Sequence, residues 1–101
     1  MRMTRTTLRV LEQLLQDPAG EHHGYDLMKA TGIKGGSIYP ILDRLEKETW
    51  VSASWRESEI LGRPRRRCYT LTGHGIPRAK AALEDARGAD TARRARTVES
   101  F

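Results

Sequence analysis

Ser37-Ile38-Tyr39-Pro40-Ile41-Leu42-Asp43-Arg44-Leu45-Glu46-Lys47-Glu48 holds the strongest periodicity in the chain. Ile38, Ile41, Leu42 and Leu45 fall at i, i+3, i+4 and i+7, so they form one stripe of a helix and that stripe must be buried. Gly35-Gly36 breaks the chain just before it. Pro40 sits early enough to be tolerated, because a missing N–H and a fixed φ suit a first turn, which sets the helix start near Gly36 or Ser37. With the apolar stripe facing a core, Ser37, Tyr39, Pro40, Arg44 and Lys47 are left on the other faces.

Two helices precede this one. From Thr4 to about Gln16, Leu8, Leu11, Leu14 and Leu15 recur at three- and four-residue steps, and Asp17-Pro18-Ala19-Gly20 ends the segment. After a turn at His22-His23-Gly24, Tyr25, Leu27, Met28 and Ala30 make a short second helix that Thr31-Gly32 stops. On the C-terminal side the period changes. Trp50, Val51, Ala53 and Trp55 read as one strand and Tyr69 and Leu71 as another, joined by a long tip rich in Gly, Pro and arginine. Ile76, Ala79, Lys80, Leu83 and Arg87 outline a last helix with a thin apolar edge, and the charged segment from Ala89 to Phe101 reads as a flexible tail.

The result is an α+β fold, mainly α: three helices, a β-hairpin and a C-terminal helix, the arrangement of a winged helix-turn-helix. Residues 1–72 hold the three helices and the hairpin, 73–88 the C-terminal helix, and 89–101 the tail. At 101 residues there is room for one domain, and 38 % hydrophobic residues plus nine glycines is near the average for a globular chain. No run of about 18 uncharged apolar residues is present to span a membrane, and the N-terminus lacks the apolar stretch of a signal peptide. Cys68 is the single cysteine and cannot form an internal disulfide, so a cytoplasmic location is expected.

In this arrangement the third helix can enter a major groove while the hairpin touches the flanking backbone. The formal charge of +5 favours a polyanionic partner. Ser37, Tyr39 and Pro40 would lead into the groove, and Arg44 is long enough for a phosphate or a guanine edge. The run Arg63-Pro64-Arg65-Arg66-Arg67 places four guanidiniums around a stiffening proline, suited to the DNA backbone or minor groove. A solvated charge run is the bland alternative, and its place after a three-helix unit favours binding.

Ser37 to Glu46, then Trp50-Val51, then Gly62-Arg63-Pro64-Arg65-Arg66-Arg67-Cys68-Tyr69-Thr70-Leu71-Thr72 together resemble the PadR family of bacterial transcriptional regulators, and His23-Gly24-Tyr25-Asp26-Leu27 also fits. The resemblance spans roughly residues 4 to 88. It implies a winged helix-turn-helix bound as a homodimer to inverted-repeat operators in double-stranded DNA, often as a repressor, with residues 1–72 as the DNA-binding domain and the C-terminal helix at 73–88 serving dimerisation. It carries DNA contact to Ser37, Tyr39 and Pro40 and wing contact to Arg63, Arg65 and Arg66. Two positions depart from the pattern: Thr49 stands where glycine is usual, and a β-branched residue resists positive φ; Cys68 stands where an aromatic is common.

The last helix offers few large apolar residues, so the first helix must share the dimer seam: Leu8, Leu11 and Leu15 with Ile76, Ala79 and Leu83. Adjacent side chains such as His22 and His23 diverge by about 100° on a helix, which is poor for chelation, and they read as turn residues. The glycine clusters at 32–36 and 73–75 lack the context of a nucleotide-binding loop. No catalytic grouping, cofactor or metal site is expected. Trp50 and Trp55 point to opposite faces of a regular strand, with packing the ordinary role and a stacking site for a flat ligand the sharper one. A small-molecule effector stays open as a partner, with nothing in the sequence marking its pocket. A winged-helix module docking an acidic protein, or unspecific RNA binding, are the competing functions.

Overall fold

The computed structural model describes residues 2–57, 62 and 65–99, with side chains as far as Thr91. Helix α1 spans Arg5–Leu15, α2 Gly24–Thr31, α3 Gly35–Lys47 and α4 Gly75–Glu99; strands β1 (His22–His23), β2 (Val51–Arg56) and β3 (Arg66–Leu71) form an antiparallel sheet in the order β1-β3-β2. This is the winged helix-turn-helix that the periodicities predict.

Thr4 starts α1: its backbone is extended and its hydroxyl accepts the Thr7 N–H at 3.1 Å. The buried face is Thr7, Val10, Leu11 and Leu14, so Leu8 and Leu15 lie at its edges and stay half-buried. Gly32, at φ 73, closes α2 in the left-handed conformation that glycine adopts freely, its N–H reaching Met28 O at 2.9 Å. The turn into α3 is tied from three sides. Thr31 Oγ1 donates to Leu27 O at 2.7 Å and accepts from Ile33 N at 3.2 Å, and the Arg9 guanidinium of α1 donates to Thr31 O. The angle between α2 and α3 is therefore set by polar bonds as well as by packing.

Ile38, Leu42 and Leu45 are wholly buried and join Val10, Leu11, Leu14, Leu27, Val51, Tyr69, Leu71 and Ala79 in one core, with Ile41 at its margin. Helix α3 begins at Gly35, earlier than the glycine pair suggests. Pro40 is then in its second turn and has no N–H for the Gly36 carbonyl four residues back, where the open space around Gly36 leaves that carbonyl accessible to water. At its end, Trp50 N reaches Leu45 O at 2.9 Å and Thr49 N reaches Glu46 O at 3.0 Å, the bonds of a Schellman cap. Thr49 occupies the position that demands positive φ, at 62°, as its departure from the family pattern suggests.

Three features differ from the sequence reading. His22 and His23 form a short strand rather than a turn: they pair with Tyr69 and Cys68, and that partnership comes from β3, not from local sequence. Helix α4 continues through Gly88 to Glu99 where a flexible tail was expected; a single glycine costs only about 1 kcal/mol within a helix, and the surrounding alanine and arginine favour one. Leu11 and Ala79, expected at a dimer seam, are 0 % exposed within the one chain and have no surface for a partner. Among the described residues no helix is long and apolar enough to cross a membrane.

Candidate nucleic-acid interface

Helix α3 buries one face and exposes the other. Ser37, Pro40, Arg44 and Lys47 recur at three- and four-residue steps and are all exposed, so they form a stripe opposite the core. Arg44 has no ion pair among the described residues. Tyr39 is 37 % exposed and leans on the start of α2: a Cβ added at Gly24 would lie 2.8 Å from Tyr39 Cε1 and 2.9 Å from its Oη. Gly24 is thus the seat of the Tyr39 ring, a role the sequence reading missed. The same seat brings the Tyr39 hydroxyl to the N-terminus of α2, where backbone N–H groups favour an anion.

The wing is the β2–β3 ribbon. Its inner face carries Val51, Ala53 and Trp55 opposite Leu71, Tyr69 and Arg67. The first two pairs are in or against the core, and the third projects past it. Arg65 and Arg66 are exposed; Arg65 stands 3.8 Å from the exposed Glu57, a distance that leaves its charge available. Arg63 lies outside the described residues. Arg67 behaves differently, bonding Glu46 Oε2 at 3.0 Å while its guanidinium lies 5.0 Å from the Trp55 ring centroid. Burial works against the Arg67 charge, but its bonds to Tyr69 and Glu46 outweigh that and raise its pKa.

On the opposite face of the sheet, Arg56 grips Glu21 with Nε at 2.9 and 3.0 Å and Nη2 at 2.7 Å, which holds the Glu21 carboxyl below its ordinary range. This pair fixes the approach to β1. Cys68 Sγ lies 3.0 Å from His23 Nδ1, and burial pushes the thiol pKa up, so the neutral form is retained. Burial likewise raises the Tyr69 hydroxyl. Tyr25, 63 % exposed with the Lys29 ammonium 5.5 Å from its ring, escaped the sequence reading as a surface feature, whereas the 57 % exposure of Trp55 fits the reading that the two tryptophans point to opposite faces. Among the described residues no cluster of three His, Cys, Asp or Glu side chains is placed to hold a metal ion.

An exposed polar helix face beside a basic hairpin is a geometry for DNA, and the sequence relationship decides whose. The pattern of the transcriptional regulator PadR-like family matches residues 10–81, from α1 into α4. The chain belongs to that family. A PadR-like chain of this kind is a transcriptional regulator, and the fold is shared by solved structures. A PadR family transcription regulator from Clostridium difficile superposes with a TM-score of 0.72 at 19 % identity, over 88 % of this chain and 94 % of that one. The smu.1704 protein of Streptococcus mutans gives 0.68 at 26 % identity over 89 % and 87 %. BpsR of Bordetella bronchiseptica, whose DNA binding is regulated by 6-hydroxynicotinic acid, gives 0.70 at 21 % identity over 90 % of this chain and 60 % of its own. No curated protein sequence is significantly similar.

Proposed function

We propose that this PadR-like regulator binds an inverted-repeat operator in double-stranded DNA as a homodimer, and represses where that operator overlaps a promoter. The observation that carries this reading is the exposed stripe Ser37, Pro40, Arg44 and Lys47 on a helix whose opposite face is locked in the core. Ser37, Tyr39 and Pro40 enter the major groove, Arg44 reaches a phosphate or a guanine edge, and Arg65 and Arg66, with Arg63, take the flanking backbone. Backbone contacts supply affinity without regard to sequence; the helix face supplies preference.

For the dimer, Leu8, Leu15, Ile76 and Leu83 retain surface. Leu15 and Leu83 line an open groove of about 200 Å³ between α1 and α4 whose rim carries Glu12, Glu84, Lys80 and Arg87. Both signs on one rim suit a two-fold contact, in which acidic groups of one copy meet basic groups of the other. The volume falls below the roughly 300–1,000 Å³ of sites for drug-sized ligands, so an effector at this groove would be a fragment-sized molecule.

The test is selection of binding sites from a random duplex library at physiological salt, followed by sedimentation of the complex. An inverted repeat with half-sites about 34 Å apart, bound by two chains, is the expected result. Sequence-blind binding that disappears as salt rises would overturn the proposal.

A further inference from the structure

Arg67 stands apart from its neighbours in the basic run. Arg65 and Arg66 are exposed, whereas the Arg67 side chain is 27 % exposed and held between two elements. Its Nη2 donates to Glu46 Oε2 on α3 at 3.0 Å, and its guanidinium lies 5.0 Å from the ring of Trp55, its partner across β2 and β3. The inner face of the ribbon leaves the core after Ala53 and Tyr69, so Trp55 and Arg67 are the first pair beyond it. A two-stranded ribbon without a packed face is marginal in water. Glu46 lies in the last turn of α3, where the helix dipole disfavours a carboxylate, and Arg67 is the cation that meets it. A phosphate would have to compete with that carboxylate for the guanidinium.

We propose that Arg67 is a positioning residue and not a DNA contact: stacked on Trp55 and paired with Glu46, it ties the wing to α3, so that helix and basic tip meet the duplex at one fixed angle. The inference rests on the DNA-binding reading above. A lysine would supply the charge but not the flat surface that stacks on the indole or the rigid fork that aims at the carboxylate.

Simple electrostatics and this proposal differ in sign for Glu46→Gln. Removing a carboxylate near phosphates should tighten binding to every duplex; loosening the wing should weaken binding to the preferred duplex. Full-length wild type, Glu46→Gln, Arg67→Ala, Arg67→Lys and the Glu46→Gln/Arg67→Ala double variant are titrated against the enriched duplex and a random one. The ratio of the two affinities should fall about fivefold in Glu46→Gln and in Arg67→Ala, and no further in the double variant, because both remove one tie. Arg67→Ala should leave the salt dependence on random DNA unchanged, where loss of a phosphate contact would lower its slope by about 1. In the free protein, the Arg67 Nε–H resonance should be shifted by the indole ring and return to the ordinary arginine position in Glu46→Gln.

Tighter binding of both duplexes by Glu46→Gln, additive losses in the double variant, or an unshifted Arg67 resonance would each overturn the proposal. If Arg67→Ala does not fold, Glu46→Gln and Arg67→Lys decide it. A wild-type protein with no sequence preference overturns the DNA reading and this inference with it; a preference that survives Glu46→Gln intact overturns this inference alone.

Discussion

Thr49→Gly should make the protein more stable, although it removes a side chain and adds no contact. Thr49 holds φ at 62° in the cap that ends α3, with its N–H on Glu46 O and the next N–H on Leu45 O. A non-glycine residue in this region costs roughly 1–2 kcal/mol, towards the upper end for a β-branched side chain. Glycine relieves that cost, and its extra freedom in the unfolded chain returns about 0.4–1 kcal/mol of it. The Thr49 hydroxyl bond to Glu48 O, 2.6 Å long, is exposed and water replaces it. The net gain is about 0.5–1 kcal/mol. For a domain of this size that is a rise in Tm of about 2–6 °C, read by circular dichroism at fixed protein concentration. Thr49→Asn separates the two contributions, because asparagine tolerates the left-handed region without adding glycine's unfolded-state freedom, and it should raise Tm as well. An unchanged or lower Tm in both variants would show that the cap carries no strain.

Gly75→Ala should cost more than about 2 kcal/mol by denaturant unfolding, because its Cβ would fall 2.0 Å from the Trp50 carbonyl oxygen, which as backbone cannot step aside; wild-type stability would contradict the packing described. Gly24→Ala displaces only the end of the Tyr39 ring, so Tm should move little while affinity for the preferred duplex drops about fivefold or more by fluorescence anisotropy; unchanged affinity would remove Tyr39 from the interface. Arg65→Ala should weaken all duplexes alike and lower the salt slope by about 1, whereas Ser37→Ala should change which duplex is preferred; a uniform loss from both would count against groove reading. Cys68 should react slowly with a thiol reagent in the native state at neutral pH and rapidly once unfolded. Burial raises its folded pKa above the ordinary 9.0, so the stability this neutral thiol contributes is present below its unfolded pKa and is lost as pH climbs past it; fast native labelling would refute that.

Much of the fold is legible because helical stripes announce themselves. Ile38, Leu42 and Leu45 are buried as their spacing requires, and Gly32 ends α2 as its place after Thr31 implies. Strand β1 is not legible: two residues have no period, and what makes His22 and His23 extended is β3, far along the chain. Leu11 and Ala79 show a second limit. An apolar stripe says that a face is covered, not whether the cover is the chain itself or a second copy, and here the chain covers both residues itself. Ser37, Pro40 and Arg44 are off the stripe and exposed, as read. The Glu46, Arg67 and Trp55 contact depends on the register of the ribbon, which a long tip leaves undetermined until the strands are seen paired.

The start of α4 has a mechanical meaning. Thr72 donates its N–H to Trp50 O at 3.0 Å and receives the Gly75 N–H on its hydroxyl at 2.9 Å, and Gly75 meets Trp50 with no room for a methyl group. Trp50 is also the residue that closes the cap of α3. The longest helix in the molecule is therefore seated on the exit of α3, in a bearing with almost no clearance. A helix of 25 residues is about 37 Å long, so a tilt of about 5° at that bearing carries the far end about 3 Å. In the dimer proposed above, two copies joined along such rods would double that displacement to about 6 Å, close to the rise of two base pairs at about 3.4 Å each. On that proposal, the closeness of one glycine to one carbonyl sets how narrowly a pair of these chains can gauge the distance between two half-sites.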